Sequence, residues 1–269
     1  MPSDLAEPAP NDAYRRVAFP VERRLVIDTL RIGHRRPMMH GLVEVDVTRA
    51  RRLMQAHRER TGEAPSFTAF VLACVGRAVA AHPEVHAQRD WLGRLVMFED
   101  VDVTTIVEVD VAGRRFPLAH VVRATNRRSP HAIQAELRAV QARGLGSVAR
   151  GPRLATRLAL WLPGLVRRLA FRLLLRSPRF AKRHTGTLLL TAVGMFGAGA
   201  AWGLSAPGIH GLSIVVGGIA ARPPLEPGGE PREALCLTVS ADHTIVDGAP
   251  LARFVRDLRA SLEAAQGIG

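Results

Sequence analysis

Lysine is almost absent from this chain. Among 37 basic residues Lys182 is the only lysine, and the rest are arginine. Cysteine is nearly as scarce, with two in 269 residues. Cys74 and Cys236 stand far apart in apolar surroundings and form neither a C-x-x-C pair nor a zinc-type spacing. That excludes a disulfide-stapled fold, and both are expected to be reduced core residues in a cytoplasmic protein. Aromatic residues make up 5% of the chain, too few to interleave with arginine as base-stacking platforms. This scarcity matters because the net charge is +13, a value that otherwise points to nucleic acid. Much of the excess sits in residues 150–183, which hold ten basic residues and no acidic one. Arginine in place of lysine, with abundant alanine, is the composition of a GC-rich coding sequence. Nucleic acid is therefore not an expected partner. There is no G-x-x-x-x-G-K-[ST] loop and no G-x-G-x-x-G turn, so nucleotide hydrolysis and dinucleotide binding have no support. His82 and His86 frame an H-P-E-V-H run, but its glutamate is misplaced for zinc chemistry and Pro83 breaks the helix such a site needs. No metal is expected. His34 and His40 have no evident partners.

Hydrophobic residues make up 47% of the chain, and its length suits one large domain with a full core. Residues 1–16 are rich in Pro, Ala and acid. They lack a basic start followed by an apolar stretch, so they are expected to be a disordered tail rather than a signal peptide. Residues 17–269 are expected to be a single domain. Periodicity predicts helices over 21–32, 49–60, 69–81, 130–143 and 250–263, with Ser66 as N-cap of the third. Strands are expected over 39–47, 94–98, 101–109, 118–122, 188–193, 211–220 and 234–240. Alternating elements of this kind give an α/β, two-layer sandwich-like domain.

Two apolar segments need separate treatment. Residues 186–221 carry no charged side chain and are long enough to span a bilayer. Gly194, Gly197, Gly199, Gly203, Pro207, Gly208 and Gly211 divide them, so they read as buried strands. Residues 154–175 are leucine-rich and punctuated by Arg157, Arg167, Arg168 and Arg172, with Pro163 splitting them into two short helices. The favoured reading packs this segment on its own protein or on a neighbouring subunit. A basic amphipathic helix on an anionic membrane surface is the alternative.

The chemistry concentrates near the C-terminus. Ala241-Asp242-His243-Thr244-Ile245-Val246-Asp247-Gly248-Ala249 is an H-x-x-x-D-G signature between a strand and a helix. With its flanks, it resembles the catalytic domain of the acyltransferase (E2) component of 2-oxoacid dehydrogenase complexes, which shares H-x-x-x-D-G with chloramphenicol acetyltransferase. The segment at 186–197 looks like that family's run ending in S-N-L-G-M-F-G. Residues 66–90 resemble its helix followed by H-P-E-(V/L)-N, and Val43-Glu44-Val45-Asp46-Val47-Thr48 its E-V-D-V-T strand. The matches keep their order along residues 17–263. They fail near 145–183, which reads as a basic amphipathic insertion.

The resemblance implies a chloramphenicol acetyltransferase-like fold with a mixed sheet, and a CoA-dependent acyltransferase. His243 would be general base, taking a proton from the thiol of coenzyme A or a dihydrolipoyl group. A thiol of pKa near ~8.5 is mostly protonated at neutral pH, and histidine, near ~6.5, titrates where a base is wanted. Thr191 falls where the family places an oxyanion-binding serine, and it keeps the hydroxyl; read from the residues alone, it is equally an ordinary β-former. Ala192 replaces the family's asparagine, and Thr244 its arginine. Asp247 would be structural, paired with Arg23 or Arg24, and Gly248 would permit close backbone approach at the helix start. A homotrimer or larger assembly of trimers is implied, with the site between subunits. A lipoyl group would ride on a separate carrier protein, because about sixteen residues precede the region of resemblance. A non-catalytic scaffold of the same fold, or an acyltransferase peripheral to a membrane, are the alternatives. Acyl group and acceptor are not specified.

Overall fold

A computed structural model describes residues 14–20, 23–63, 65–111, 113–144, 161–194, 199–224 and 226–268. Residues 1–13 of the expected tail, and 145–160 of the expected insertion, lie outside this set. Helix α1 (Arg23–Gly33) leads into strand β1 (Met38–Asp46), then α2 (Thr48–Thr61) and α3 (Phe67–Ala81). A short ribbon, β2 (Gln88–Arg89) with β3 (Leu95–Val96), precedes the hairpin of β4 (Val103–Val111) and β5 (Arg114–Val122). Helices α4 (Pro130–Arg143), α5 (Gly164–Leu175) and α6 (Pro178–Thr185) follow. The chain closes with β6 (Leu188–Ala192), β7 (Leu212–Arg222), β8 (Arg232–Asp242) and α7 (Gly248–Glu263).

The main sheet has the order β1-β8-β7-β6-β4-β5. Strand β6 runs parallel to both β4 and β7, and the remaining pairs are antiparallel. The sheet is therefore mixed, as expected, and the protein is α/β. Helices α3, α4 and α7 bury Phe70, Leu72, Ile133, Phe254, Leu258 and Leu262 against the strands. Strand β4 follows the half-buried alternation of a two-layer fold: Val107 and Val109 are buried while Ile106, between them and the start of the strand, is exposed. In the middle, β7 and β8 are buried over most of their length. The segment after β6 crosses the open face of β7. A Cβ added to Gly217 would meet the Ala201 carbonyl oxygen at 2.1 Å, so only glycine lets the two backbones approach this closely.

Local chemistry explains the starts and stops. Ser66 Oγ accepts from the Ala69 amide at 3.2 Å, the N-cap that starts α3. Pro83 follows the cap at its other end. The charge-free stretch within 186–221 forms β6, β7 and their connection. Among the described residues no helix is long and apolar enough to cross a membrane. Both cysteines are free and buried.

Three expectations need correction. The strand over 94–98 shrinks to Leu95–Val96, because Asp90 Oδ1 accepts from the amides of Leu92 and Arg94 and holds a tight turn at the surface. The strand at 118–122 begins earlier, at Arg114. It lies at the sheet edge, where Pro117 costs no ladder bond. Helix α6 was not anticipated. Its eight residues are too few for a clear period to be read from sequence, and it is tied to the body by Lys182, whose Nζ donates to the Asp100 carbonyl at 2.9 Å.

Two consequences can be measured. A Cβ on Gly76 of α3 would lie 2.5 Å from Thr125 Oγ1 and 2.6 Å from the Asn126 amide nitrogen. Gly76→Ala is expected to destabilise the protein by about 1–3 kcal/mol in urea unfolding, despite the higher helix propensity of alanine. His86 is buried, with Nδ1 3.0 Å from Thr187 Oγ1, and desolvation lowers its pKa from 6.5 to about 4. Between those values the unfolded chain binds the extra proton, so stability is full above about pH 6.5 and falls as pH drops toward 4. The loss through this one group is on the order of 3 kcal/mol. His86→Asn should flatten that part of the stability profile.

Candidate active site

The end of β8 is tied down before it releases His243. Asp242 is buried, and its Oδ2 receives Arg36 Nη1 at 3.1 Å. Arg36 Nη2 donates to the Ile209 carbonyl at 3.1 Å, fixing the approach to β7 as well. The other carboxylate oxygen of Asp242 accepts from the Thr244 amide at 2.9 Å and hydroxyl at 2.7 Å. The His243 amide donates to the Pro37 carbonyl at 2.9 Å. Backbone and both flanking side chains are thus held, while the His243 side chain stays half exposed, at 50%. That is the combination a reactive imidazole needs: fixed origin, accessible ring.

Asp247 caps α7 with its backbone, and its Oδ1 lies 3.6 Å from His243 Nδ1. One turn of chain brings the two together. The expected pair between Asp247 and Arg23 or Arg24 is not formed. Asp247 faces His243 instead, and the Asp247 side chain is 84% exposed. Helix α1 directs its own carboxylate, Asp28, to Arg167 and Arg168 of α5. Gly248 also departs from expectation: an added Cβ there meets nothing within 4 Å, so no close approach within the chain requires glycine.

Thr191 lies in β6, paired with Val215, which in turn pairs with Thr238 of β8. His243 follows Thr238 by five residues, and two strand spacings separate β6 from β8. Thr191 and His243 of one chain are therefore roughly 15–20 Å apart. The fold brings His243 and Asp247 together and keeps Thr191 away from both. Arg36 was missed in the sequence, although an arginine before a strand that pairs with the His-bearing strand is the kind of signal that register would have supplied.

Beside the His243 loop opens a cleft of about 510 Å³. Asp242, Thr244 and Ile245 form one wall, and α5 and α6 form the opposite one. Arg35, Arg89, Arg172 and Arg176 line it together with Arg36. Apart from Arg36, none of these guanidinium groups has an ion pair among the described residues. Leu169, Leu173 and Ile32 supply apolar surface between them. His210 Nε2 lies 2.6 Å from the Thr185 carbonyl oxygen, and burial lowers its pKa to about 4. It adds no positive charge near neutral pH. The cleft is cationic with an apolar floor, suited to an anionic ligand carrying a hydrocarbon portion. Two other histidines are engaged by side chains elsewhere: His82 Nε2 meets Asp257 Oδ2 at 2.8 Å, and His40 Nδ1 meets Ser240 Oγ at 2.8 Å.

A mixed sheet of this order, ending in an imidazole at a strand–helix junction, defines an acyltransferase type of architecture. The profile of the 2-oxoacid dehydrogenases acyltransferase (catalytic domain) family matches residues 11–148 and 168–269. The chain belongs to that family. No curated protein matches it. Among solved structures, the dihydrolipoamide acetyltransferase of Azotobacter vinelandii is similar at 16% identity with TM-score 0.70, covering 100% of this chain and 98% of that one. A probable dihydrolipoamide acetyltransferase from Listeria monocytogenes is similar at 17% identity and TM-score 0.68, over 94% and 95% of the two chains. The truncated catalytic core of a 2-oxoacid dehydrogenase multienzyme complex from Thermoplasma acidophilum is similar at 20% identity and TM-score 0.65, over 94% and 100%. The profile leaves out residues 149–167, within the stretch where the sequence resemblance fails.

The clamp on the His243 loop can be tested by stability. Arg36→Ala leaves the buried Asp242 carboxylate uncompensated and is expected to cost about 2–3 kcal/mol, the lower side of the range for a broken buried pair because water reaches Arg36. His243→Ala removes a half-exposed ring and should change stability by less than about 0.5 kcal/mol. Chemical denaturation of both variants checks the contrast.

Proposed function

We propose that this protein is an acyltransferase of the E2 type, moving an acyl group between the thiol of coenzyme A and a dihydrolipoyl or other carrier thiol. The observation that carries the reading is His243, held by its backbone and both neighbours yet open to solvent beside a cationic cleft. With Nδ1 turned to Asp247, Nε2 is left for the substrate. It removes the proton from the attacking thiol, and the thiolate sulfur bonds to the thioester carbon, which becomes a tetrahedral oxyanion. Collapse breaks the bond to the leaving sulfur, which takes the proton back from the imidazolium. Both sides of the reaction are thioesters, so it runs readily in either direction. The unpaired arginines of the cleft suit the phosphates of coenzyme A, and its leucines suit the acyl or pantetheine portion.

Thr191 is the proposed oxyanion donor. Its distance from His243 within one chain means that a second subunit must provide the hydroxyl. A homotrimer, or a larger assembly of trimers, supplies that geometry. The structure of the Azotobacter vinelandii enzyme concerned the roles of a serine, a histidine and an asparagine in its mechanism, the last two being four residues apart. His243 and Asp247 have the same separation. Arg23, Arg24 and Gly248 are proposed as structural supports of the His243 loop. Two reduced cysteines fit a cytoplasmic location. Ala192, in place of the family's asparagine, favours a second reading, a non-catalytic scaffold of the same fold.

Acyl exchange between a panel of acyl-CoAs and free dihydrolipoamide separates the two. His243→Ala is expected to lower transfer by about 10²–10⁴. Thr191→Ala should lower it by about 10²–10³, with Thr191→Ser retaining it. Co-assembly of His243→Ala with Thr191→Ala subunits should restore activity, because some sites then combine both intact residues. A correctly assembled native protein with no transfer to any acceptor thiol supports the scaffold.

A further inference from the structure

Helix α5 is fastened to the body along one side only. Arg167 is buried and its Nε donates to Asp28 Oδ2, while Arg168 Nη1 lies 3.7 Å from the other oxygen. Phe171 and Leu175 follow on the same inward side, partly covered. At 3.6 residues per turn, Leu165, Leu169 and Leu173 form a stripe on the outward side, joined by Val166 and by Leu162 just before the helix. All five are exposed, Leu165 at 73%, and Trp161 at the head of the stripe is 88% exposed. Arg168, Arg172 and Arg176 make a parallel row at the same spacing, along the flank of the leucines. Residues 161–185 contain no acidic side chain.

We propose that this face docks on an anionic phospholipid bilayer, with α5 lying in the plane of the surface. The leucine stripe and Trp161 would enter the boundary between headgroups and acyl chains. Arg172 and Arg176 would extend to the phosphates, as long cationic side chains do beside a buried apolar stripe. Tryptophan suits such a boundary because its ring is apolar and its N–H polar. Charge favours an anionic surface as occupant: the face is basic, residues 161–185 offer no carboxylate, and a two-fold contact with a second copy would set the arginine row against its own image. Leu169 and Leu173 also line the cleft beside Asp242 and Thr244. The docked face is therefore continuous with the cleft, and an acyl chain could pass from the bilayer toward the site. Docking itself does not rest on acyl transfer.

The test uses the full chain with sedimented vesicles of phosphatidylglycerol mixed with phosphatidylcholine, against phosphatidylcholine alone. Expected is a binding constant at least about tenfold higher on the anionic vesicles, weakened by added salt. Trp161→Ser combined with Leu165→Ser should lower anionic-vesicle binding by at least about tenfold, each lost apolar side chain removing ~1.5–3 kcal/mol of transfer free energy at full insertion. Its thermal unfolding and its oligomer by light scattering should match the parent. Equal binding to both vesicle types, no binding, or undiminished binding by the double variant would overturn the proposal. So would a double variant that falls to a smaller oligomer, since the stripe would then be a subunit contact.

Discussion

The carboxylate of Asp242 is where the architecture and the reactive loop meet. It is buried at the last residue of β8, and three elements converge on it. Arg36 brings in the start of β1 and, through its second nitrogen, the Ile209 carbonyl before β7. Thr244 bonds back from the loop itself. A buried carboxylate tolerates no loose geometry, because any lost partner leaves charge in a low-dielectric surrounding. The position of His243 is therefore set by the cost of desolvating its neighbour, while the imidazole remains free of that cost.

The sheet order gives that carboxylate its setting. Strand β8 lies between β1 and β7, antiparallel to both, so its C-terminal end meets the entry to each. Strand β6 lies two strands away from β8 and runs antiparallel to it, and Thr191 sits level with Thr238, near the middle of the sheet. The separation from His243 is a consequence of strand order and register, which no side-chain adjustment could remove. On the same protomer, α5 and α6 close an arginine cleft against the His243 loop.

Much of this was legible in the sequence because the signals were local. Ser66 capping α3, Pro130 opening α4, and the apolar period through Leu251, Phe254, Leu258 and Leu262 report on neighbours within a few residues. The charge-free stretch within 186–221 read as strands for the same reason, its glycines dividing it into short β-forming runs. His243 and Asp247 were visible as a motif, and one turn of chain brings them together. What failed was long-range. The partner expected for Asp247 was an arginine on α1, but α1 spends its buried polar position, Asp28, on α5. Gly248 was expected at a close approach, but among the described residues a Cβ added there meets nothing within 4 Å.

The sequence by itself determined the element types, the α/β class, the family likeness and the location of the imidazole, since each follows from composition and spacing within a short window. Only the tertiary structure decided that Arg36 clamps Asp242, that Thr191 stands far from His243 in one chain, and that arginines from the turn after α1, from α5 and from the β2 strand converge on one cleft. Those facts depend on strand register and helix docking, which are set by the summed packing of residues up to about two hundred positions apart. The outward leucines of α5 belong to both levels: their period was written in the chain, and their exposure was settled when Asp28 drew the opposite side of the helix inward.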